Sequence, residues 1–525
     1  MGKIKILDCT LRDGGYCNQW QFGFDNIKTI VSGLTESGID IIECGFLTNR
    51  IDYSQEVSKF TSVEQISHVI PSDRKGSMYV CMMNFGEYRI EDIPPYDGSS
   101  VDGVRVAFHK KNMQEAIKLC YGLKEKGYAV FMQAMVSLSY TDEEFLHLIH
   151  LANEINPYAF YIVDSFGVMK RKDLIRLFYV VEHNLRDGII IGYHSHNNLQ
   201  LAYSNAQALV DVRTNKDIVL DSCVFGMGRG AGNLNTELFV EYLNDTVGTH
   251  YVLKPLLLIV DEILNGFYLQ NYWGYSLPNY LSAKHNAHPN YAGWLDSRKT
   301  LTIDNMDDIF LLMDEEKKKE YDKSYIESLY ESYLATGQVQ EAHLSELEEK
   351  LRGKEVLIIA PGSSSKRERD KVVNFAAKEG VVSIGINFDY QEYDTDYIFL
   401  SNLRRFRELD VNKRSKCIVT ANIPSVGVYL QTRYKDLLND VEAVRDNAGL
   451  MLMKFLINMK VRKIYVAGVD GYDLDVTNNF VDKKMTFVTS KETFSAMNEG
   501  LMQVMREFSK QIPIEYVTTP QFIKI

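Results

Sequence analysis

The chain has 525 residues, 45% of them apolar and 24% charged, with a formal net charge of −12. That length exceeds a single hydrophobic core, so two domains are expected, and the composition excludes a disordered chain. The negative balance argues against general affinity for nucleic acid or anionic membrane, both of which need basic stripes.

The opening residues "MGKIKIL" run straight into a strand pattern, and no apolar stretch reaches the roughly 18–20 residues of a membrane span. Seven cysteines lie scattered, mostly inside apolar runs, as in a reducing compartment. A cytoplasmic protein is expected. Eight short β-rich runs follow: "KIKILDC", "IDIIECGF", "SMYVCMMN", "GVRVAFH", "AVFMQAMVS", "FYIVDSFG", "IIIGYHSH" and "DIVLDSCVFG". They start about 30 residues apart, with helical patterns such as "TDEEFLHLIHLANEI" between most of them. Such alternation predicts an α/β fold, a closed (β/α)8 TIM barrel over residues 1–300.

Polar residues gather at the ends of these runs. Arg12 and Asp13 follow the first, Glu43 lies late in the second, and Asn84 and His109 close the third and fourth. Gln133 sits in the fifth, Asp164 and Ser165 end the sixth, His194 and His196 end the seventh, and Arg229 and Asn233 follow the eighth. In a barrel these ends converge on the face where active sites are built. His194 and His196, two apart on a strand, point the same way. They either only satisfy their own hydrogen bonds or, with Asp13, form a mixed nitrogen and oxygen set for a divalent metal, for which Mn, Mg, Zn or Co are all suited. In "GMGRGAGNLNTE", Asn233 either adds a carbonyl ligand or turns the chain before a helix.

With "TLRDGG", "IIECGF", "VDSFG", "YHSHNN" and "GRGAGN" assembled, residues 3 to 300 resemble the DRE-TIM metallolyases, nearest the 4-hydroxy-2-oxovalerate aldolase-like branch. The resemblance implies carbon–carbon bond making or breaking through a metal-held enolate of pyruvate or another 2-oxo acid, with an aldehyde as partner. It places the family arginine on Arg12, its glutamate on Glu43, and its metal ligands on Asp13, His194, His196 and, in some members, Asn233. Arg12 would face the developing enolate charge, while Glu43 orients Arg12 or a metal-bound water, or is only a charge partner. Gly14 and Gly15 would leave room for substrate, with Asp164 and Ser165 beside it. The aldolases carry a histidine base where this chain has Tyr16, which is either a proton donor or base, or packing at the mouth. An acyl-CoA-dependent Claisen condensing enzyme of the isopropylmalate or homocitrate synthase type is the alternative. The later stretch "WGYSLPNYLSAKHNAHPNYA" brings His285 and His288, either acceptor-binding lid residues or packing.

Residues 301–352 read as a charged helical connector, and residues 353–525 as a smaller Rossmann-like α/β domain with runs from "EVLIIAPG" to "IEYVTT". In "APGSSS", Gly362 with Ser363, Ser364 and Ser365 either holds a phosphate or caps a helix. This turn and "VAGVDGYD" are faintly similar to Rossmann-like domains of nucleotide-sugar-dependent sialyltransferases and DUF115-type proteins. A nucleotide or phosphosugar ligand there, or a glycosyltransferase-like module, is the corresponding expectation. A homo-oligomer is compatible with all of these readings.

Overall fold

The computed structural model describes residues 2–298, 301–335, 341–389, 393–423, 426–481, 485, 489 and 491–523. They form two compact units: Met1–Trp294 with Glu315–Tyr321, and Leu295–Asp314 with Asp322–Ile525.

The first unit is the eight-stranded parallel barrel. Its strands are β1 (Ile4–Asp8), β2 (Ile41–Leu47), β4 (Met78–Asn84), β5 (Gly103–Phe108), β6 (Ala129–Ala134), β7 (Ala159–Asp164), β8 (Ile190–Ser195) and β9 (Ile218–Ser222). A two-residue strand, β3 (Lys59–Phe60), adds to the rim beside β2. The barrel closes because β1 pairs with both neighbours, Leu7 facing Ile41 on one side and Asp221 on the other.

Strand alternation sorts the side chains. Leu7, Ile41, Val80, Phe131, Ala159, Tyr161, Ile190 and Val219 fill the barrel interior as one buried cluster. The alternate residues pack outward against helices with matching stripes: Phe24–Glu36 buries Ile27, Ile30, Val31 and Leu34, spaced for a period of 3.6. Each such side chain contributes about 1.5–3 kcal/mol when fully buried. In β2 a bulge between Glu43 and Phe46 shifts the register, and Gly45 there takes φ +147°. A Cβ on Gly45 would lie 2.1 Å from the carbonyl oxygen of Ser58, so the bulge requires glycine.

Asp8 ties the end of β1 to the last helix of the barrel. It accepts from the Thr10 amide at 2.9 Å and from the Thr236 hydroxyl at 2.6 Å, Thr236 opening the helix Thr236–Val247. Burial pushes the Asp8 carboxyl up from 3.8 to about 6 against the pull of those hydrogen bonds. Below pH 3.8 it is neutral whether the chain is folded or unfolded. As pH rises the unfolded chain ionises first, so about 3 kcal/mol of stability present in acid is lost by about pH 6. Asp8→Asn, which does not ionise, is therefore expected to gain stability relative to the wild type between about pH 4 and 7. Urea unfolding followed by tryptophan fluorescence checks this, since Trp20, Trp273 and Trp294 all lie in the barrel unit. A pH-independent difference between the two proteins would contradict it.

The second unit carries a seven-stranded parallel sheet of order β14-β13-β12-β11-β10-β15-β16, running through Leu430–Thr432, Cys417–Thr420, Tyr397–Leu400, Val381–Ile386, Glu355–Ile359, Lys463–Ala467 and Ile514–Tyr516. The winding reverses between β10 and β15, which makes it a doubly wound sheet. The short strand β14, "LQT", has no apolar run to announce it. Among the described residues no helix is long and apolar enough to cross a membrane.

Candidate active site

At the mouth of the barrel the chain leaves β1 through a π-helical turn, Thr10–Gly14, in which the amides of Arg12 and Asp13 both bond back to the carbonyl of Cys9. The indole of Trp20 donates to the carbonyl of Arg12 at 2.7 Å and fixes the turn. Both side chains are thereby buried. Arg12 places Nη1 2.9 Å from Asp13 Oδ1 and Nε 2.8 Å from Glu43 Oε2.

From Glu43 the charges continue across the barrel. Arg105 of β5 lies with Nη1 2.9 Å from Glu43 Oε1, an ion pair off the hydrogen-bonding direction, and its other nitrogen pairs with Asp221. Asp221 accepts from the Tyr161 hydroxyl at 3.0 Å and holds His194 Nδ1 at 2.9 Å. Burying any one of these charges alone would cost several kcal/mol, which the alternation of sign offsets. Burial alone would lower both arginines, but Glu43 and Asp13 outweigh it at Arg12, and Asp221 and Glu43 at Arg105, so both stay charged. Burial likewise would raise Asp13, yet Arg12 and His196 hold its carboxyl well below the ordinary range.

The donor set fits a divalent cation. Asp13, His194 and His196 each bring a ligand atom within 4.8 Å of the others. His194 has Nδ1 engaged by Asp221, which leaves Nε2 for a metal and fixes the ring by a carboxylate behind it. That hydrogen bond, together with one to Cys9, overrides burial and raises the His194 pKa to about 9. His196 is held neutral: burial lowers its pKa to about 3, with Asp13 opposing. Its Nδ1 is buried, unpartnered and 3.7 Å from Asp13 Oδ2, a spacing that two ligands of one ion would have at metal distances of about 2.0–2.2 Å. Asn233 joins through a bridge between its backbone and that of His196, with Nδ2 2.5 Å from Asp13 Oδ2 and Oδ1 buried without a partner. Gly228 admits this packing, because a Cβ there would lie 2.1 Å from Asn233 Nδ2 and 3.2 Å from Asp13 Oδ2.

The other expected residues divide. Tyr16 is 39% exposed at the rim, its ring 4.7 Å from that of Trp20 and 5.5 Å from Arg229 Cζ. Its crowded setting raises the phenol above 10, with Arg229 opposing, so it carries its proton at neutral pH. The space beside Gly14 and Gly15 is not left open, since side chains there would run into Met227 and the indole of Trp20; the glycines serve packing. Asp164 uses its two oxygens to accept the amides of Val168 and Met169, and so braces the loop after β7. The Ser165 hydroxyl accepts the amide of Val136. His285 ends the helix Leu277–Lys284, whereas His288 lies against Phe166 at the mouth, 5.7 Å between rings.

Arg105 and Asp221 are essential to this network and were not singled out from the sequence. Their one sign is a charged residue at an inward position of an apolar strand, in "GVRVAF" and "IVLDS".

In the second unit, the turn after β10 leads into a five-residue helix, Ser363–Arg367. Several of the donors expected there for a phosphate are taken up by the protein. The Ser364 amide bonds to Asp470 Oδ2 at 2.7 Å, the Ser364 hydroxyl meets Thr518 at 2.9 Å, and the Ser365 hydroxyl donates to the carbonyl of Gly362 at 2.7 Å. The Ser363 hydroxyl accepts from Gln521.

The HMGL-like family model matches residues 3–257. The 4-hydroxy-2-oxovalerate aldolase of Pseudoalteromonas translucida is 25% identical over 267 residues, covering 50% of this chain and 76% of that protein. The oxaloacetate decarboxylase of Mycobacterium tuberculosis is 27% identical over 242 residues, covering 45% and 69%. Among solved structures, the N-terminal domain of a candidate aldolase from Bacteroides vulgatus is 29% identical, covering 55% of this chain and 96% of that one, with a TM-score of 0.47.

Proposed function

Residues 3–257 belong to the HMGL-like family of the DRE-TIM metallolyases, and from that membership we propose a divalent-metal-dependent aldolase that forms the enolate of pyruvate or a similar 2-oxo acid and joins it to, or releases it from, an aldehyde. One observation carries the reading. Arg12 Nη2, His196 Nδ1, Asn233 Oδ1 and Gln133 Nε2 are all buried without partners, the first three of them around Asp13. Unmet buried polar groups cost about 1–3 kcal/mol each, so a cluster of them marks where a ligand and ion belong.

Asp13, His194, His196 and Asn233 would hold the ion, which when bound supplies Lewis acidity to a substrate carbonyl. Arg12, held by Glu43 through Nε, directs its free Nη2 to the oxygen on which enolate charge develops. Glu43 is the positioning residue for that guanidinium. Gln133, facing inward from β6, offers an amide to the acid's carboxylate. Tyr16 gives its proton to the aldehyde oxygen as the enolate carbon bonds to the aldehyde carbon, and recovers it in cleavage.

The test is exchange of the methyl protons of pyruvate in D2O with Mn or Mg, followed by NMR. Metal-dependent exchange that is lost in His194→Ala supports the proposal, and its absence with either metal counts against pyruvate as substrate. Oxaloacetate would yield the same enolate by losing carbon dioxide, and one relative bears the name of that decarboxylase. Release of pyruvate from oxaloacetate is therefore the second assay.

A further inference from the structure

One cation at the mouth takes no part in the ion pairs of the inner network. Arg12 is matched by Asp13 and Glu43, and Arg105 by Glu43 and Asp221. With His194 neutral, as a metal ligand must be, three carboxylates against two guanidiniums leave one negative charge there. A dication and the carboxylate of a 2-oxo acid bring the total to neutrality.

Arg229, in the loop after β9, stands outside this balance. Its Nη2 donates to the carbonyl of Ser165 at 3.0 Å, and its Nε is buried without a partner. Among the described residues no carboxylate lies within 4.0 Å of it. Asp13 lies within its electrostatic reach, but farther than 4.0 Å and already engaged by Arg12 and Asn233. Three imidazoles, His109, His196 and His288, lie within its electrostatic reach, and burial together with Arg229 keeps them neutral. His288 accepts the Asn290 amide at Nδ1, which leaves Nε2–H as a donor. Glu320, the acid near His109, is already paired with Lys111 at 2.7 Å. The guanidinium thus sits at the mouth beside the phenol of Tyr16, with donors around it and, among the described residues, no carboxylate in direct contact.

We propose that Arg229 binds an anionic group on the acceptor, carboxylate or phosphate, so that the aldol partner is a charged short-chain aldehyde. The inference rests on the aldolase reading above. It explains why a guanidinium, which suits the planar and tetrahedral oxygens of these anions, stands in a glycine-rich rim where a small residue would serve the turn.

Matched acceptors test it: glyceraldehyde 3-phosphate against glyceraldehyde, and succinic semialdehyde against butanal, each with pyruvate and Mn. The wild type is expected to favour at least one anionic member by tenfold or more in kcat/KM. The favoured pair identifies phosphate or carboxylate. Arg229→Gln is expected to lose about 10- to 100-fold on that anionic acceptor, the scale of a charge-assisted hydrogen bond, and much less on its neutral partner. Arg229→Lys, which keeps the charge, retains part of the preference and guards against a variant that fails to fold. Equal use of charged and neutral acceptors overturns the proposal, as does a loss in Arg229→Gln confined to the pyruvate KM of methyl exchange. Binding of glycerol 3-phosphate and of succinate, read by ligand-observed NMR on both proteins, decides the matter even if no exchange occurs. Binding of either anion that is weakened tenfold in Arg229→Gln supports the site, and equal binding overturns it.

Discussion

Arg12→Ala is expected to slow methyl exchange of pyruvate by about 10²- to 10³-fold, the usual loss when a preorganised donor to developing negative charge is removed. The barrel should survive, because Glu43 keeps Arg105 and Asp13 keeps the cation and Asn233. Arg12→Lys is expected to restore little. One ammonium cannot hold Glu43 through Nε, Asp13 through Nη1 and still present a third nitrogen, as the guanidinium does. The rate is read by NMR at saturating metal, with circular dichroism to confirm folding. A loss below about tenfold would make Arg12 a charge partner and nothing more.

Arg105→Leu should instead act on stability. Arg105 is fully buried between Glu43 and Asp221, and its removal leaves two buried carboxylates short of their countercharge. The expected cost is about 3–5 kcal/mol, seen as a shift of the tryptophan-monitored urea transition. Asp221 freed from Arg105 no longer orients His194, so affinity for Mn should fall about 10- to 100-fold by calorimetry. Arg105→Lys, retaining the charge but not the fork, should lie between. A shift of less than about 1 kcal/mol would mean that the carboxylates find other partners or take up protons.

The barrel was legible because its signal is local and repeated: an apolar strand, a polar end, a helix. The candidate metal set was legible because each proposed ligand sits at such an end. What was hidden depends on distant packing. Nothing in "RDGGY" says that the glycines make way for Met227 and Trp20. Nothing in "APGSSS" says that Asp470, 106 residues on, takes the Ser364 amide. Arg105 and Arg229 look alike in sequence, each a lone arginine among apolar or small residues. Only their neighbours separate a neutralised strut from an unpaired cation.

Asp13 meets Asn233 across 220 residues of chain, and β1 reaches β9 only when the last strand is in place. During synthesis Asp13 is therefore among the first residues made and among the last to meet all of its partners. With Asn233 as its fourth member, the proposed ion site is complete in no partial barrel that ends before that residue. Full affinity of the proposed site for a cation would then report that the ring has closed.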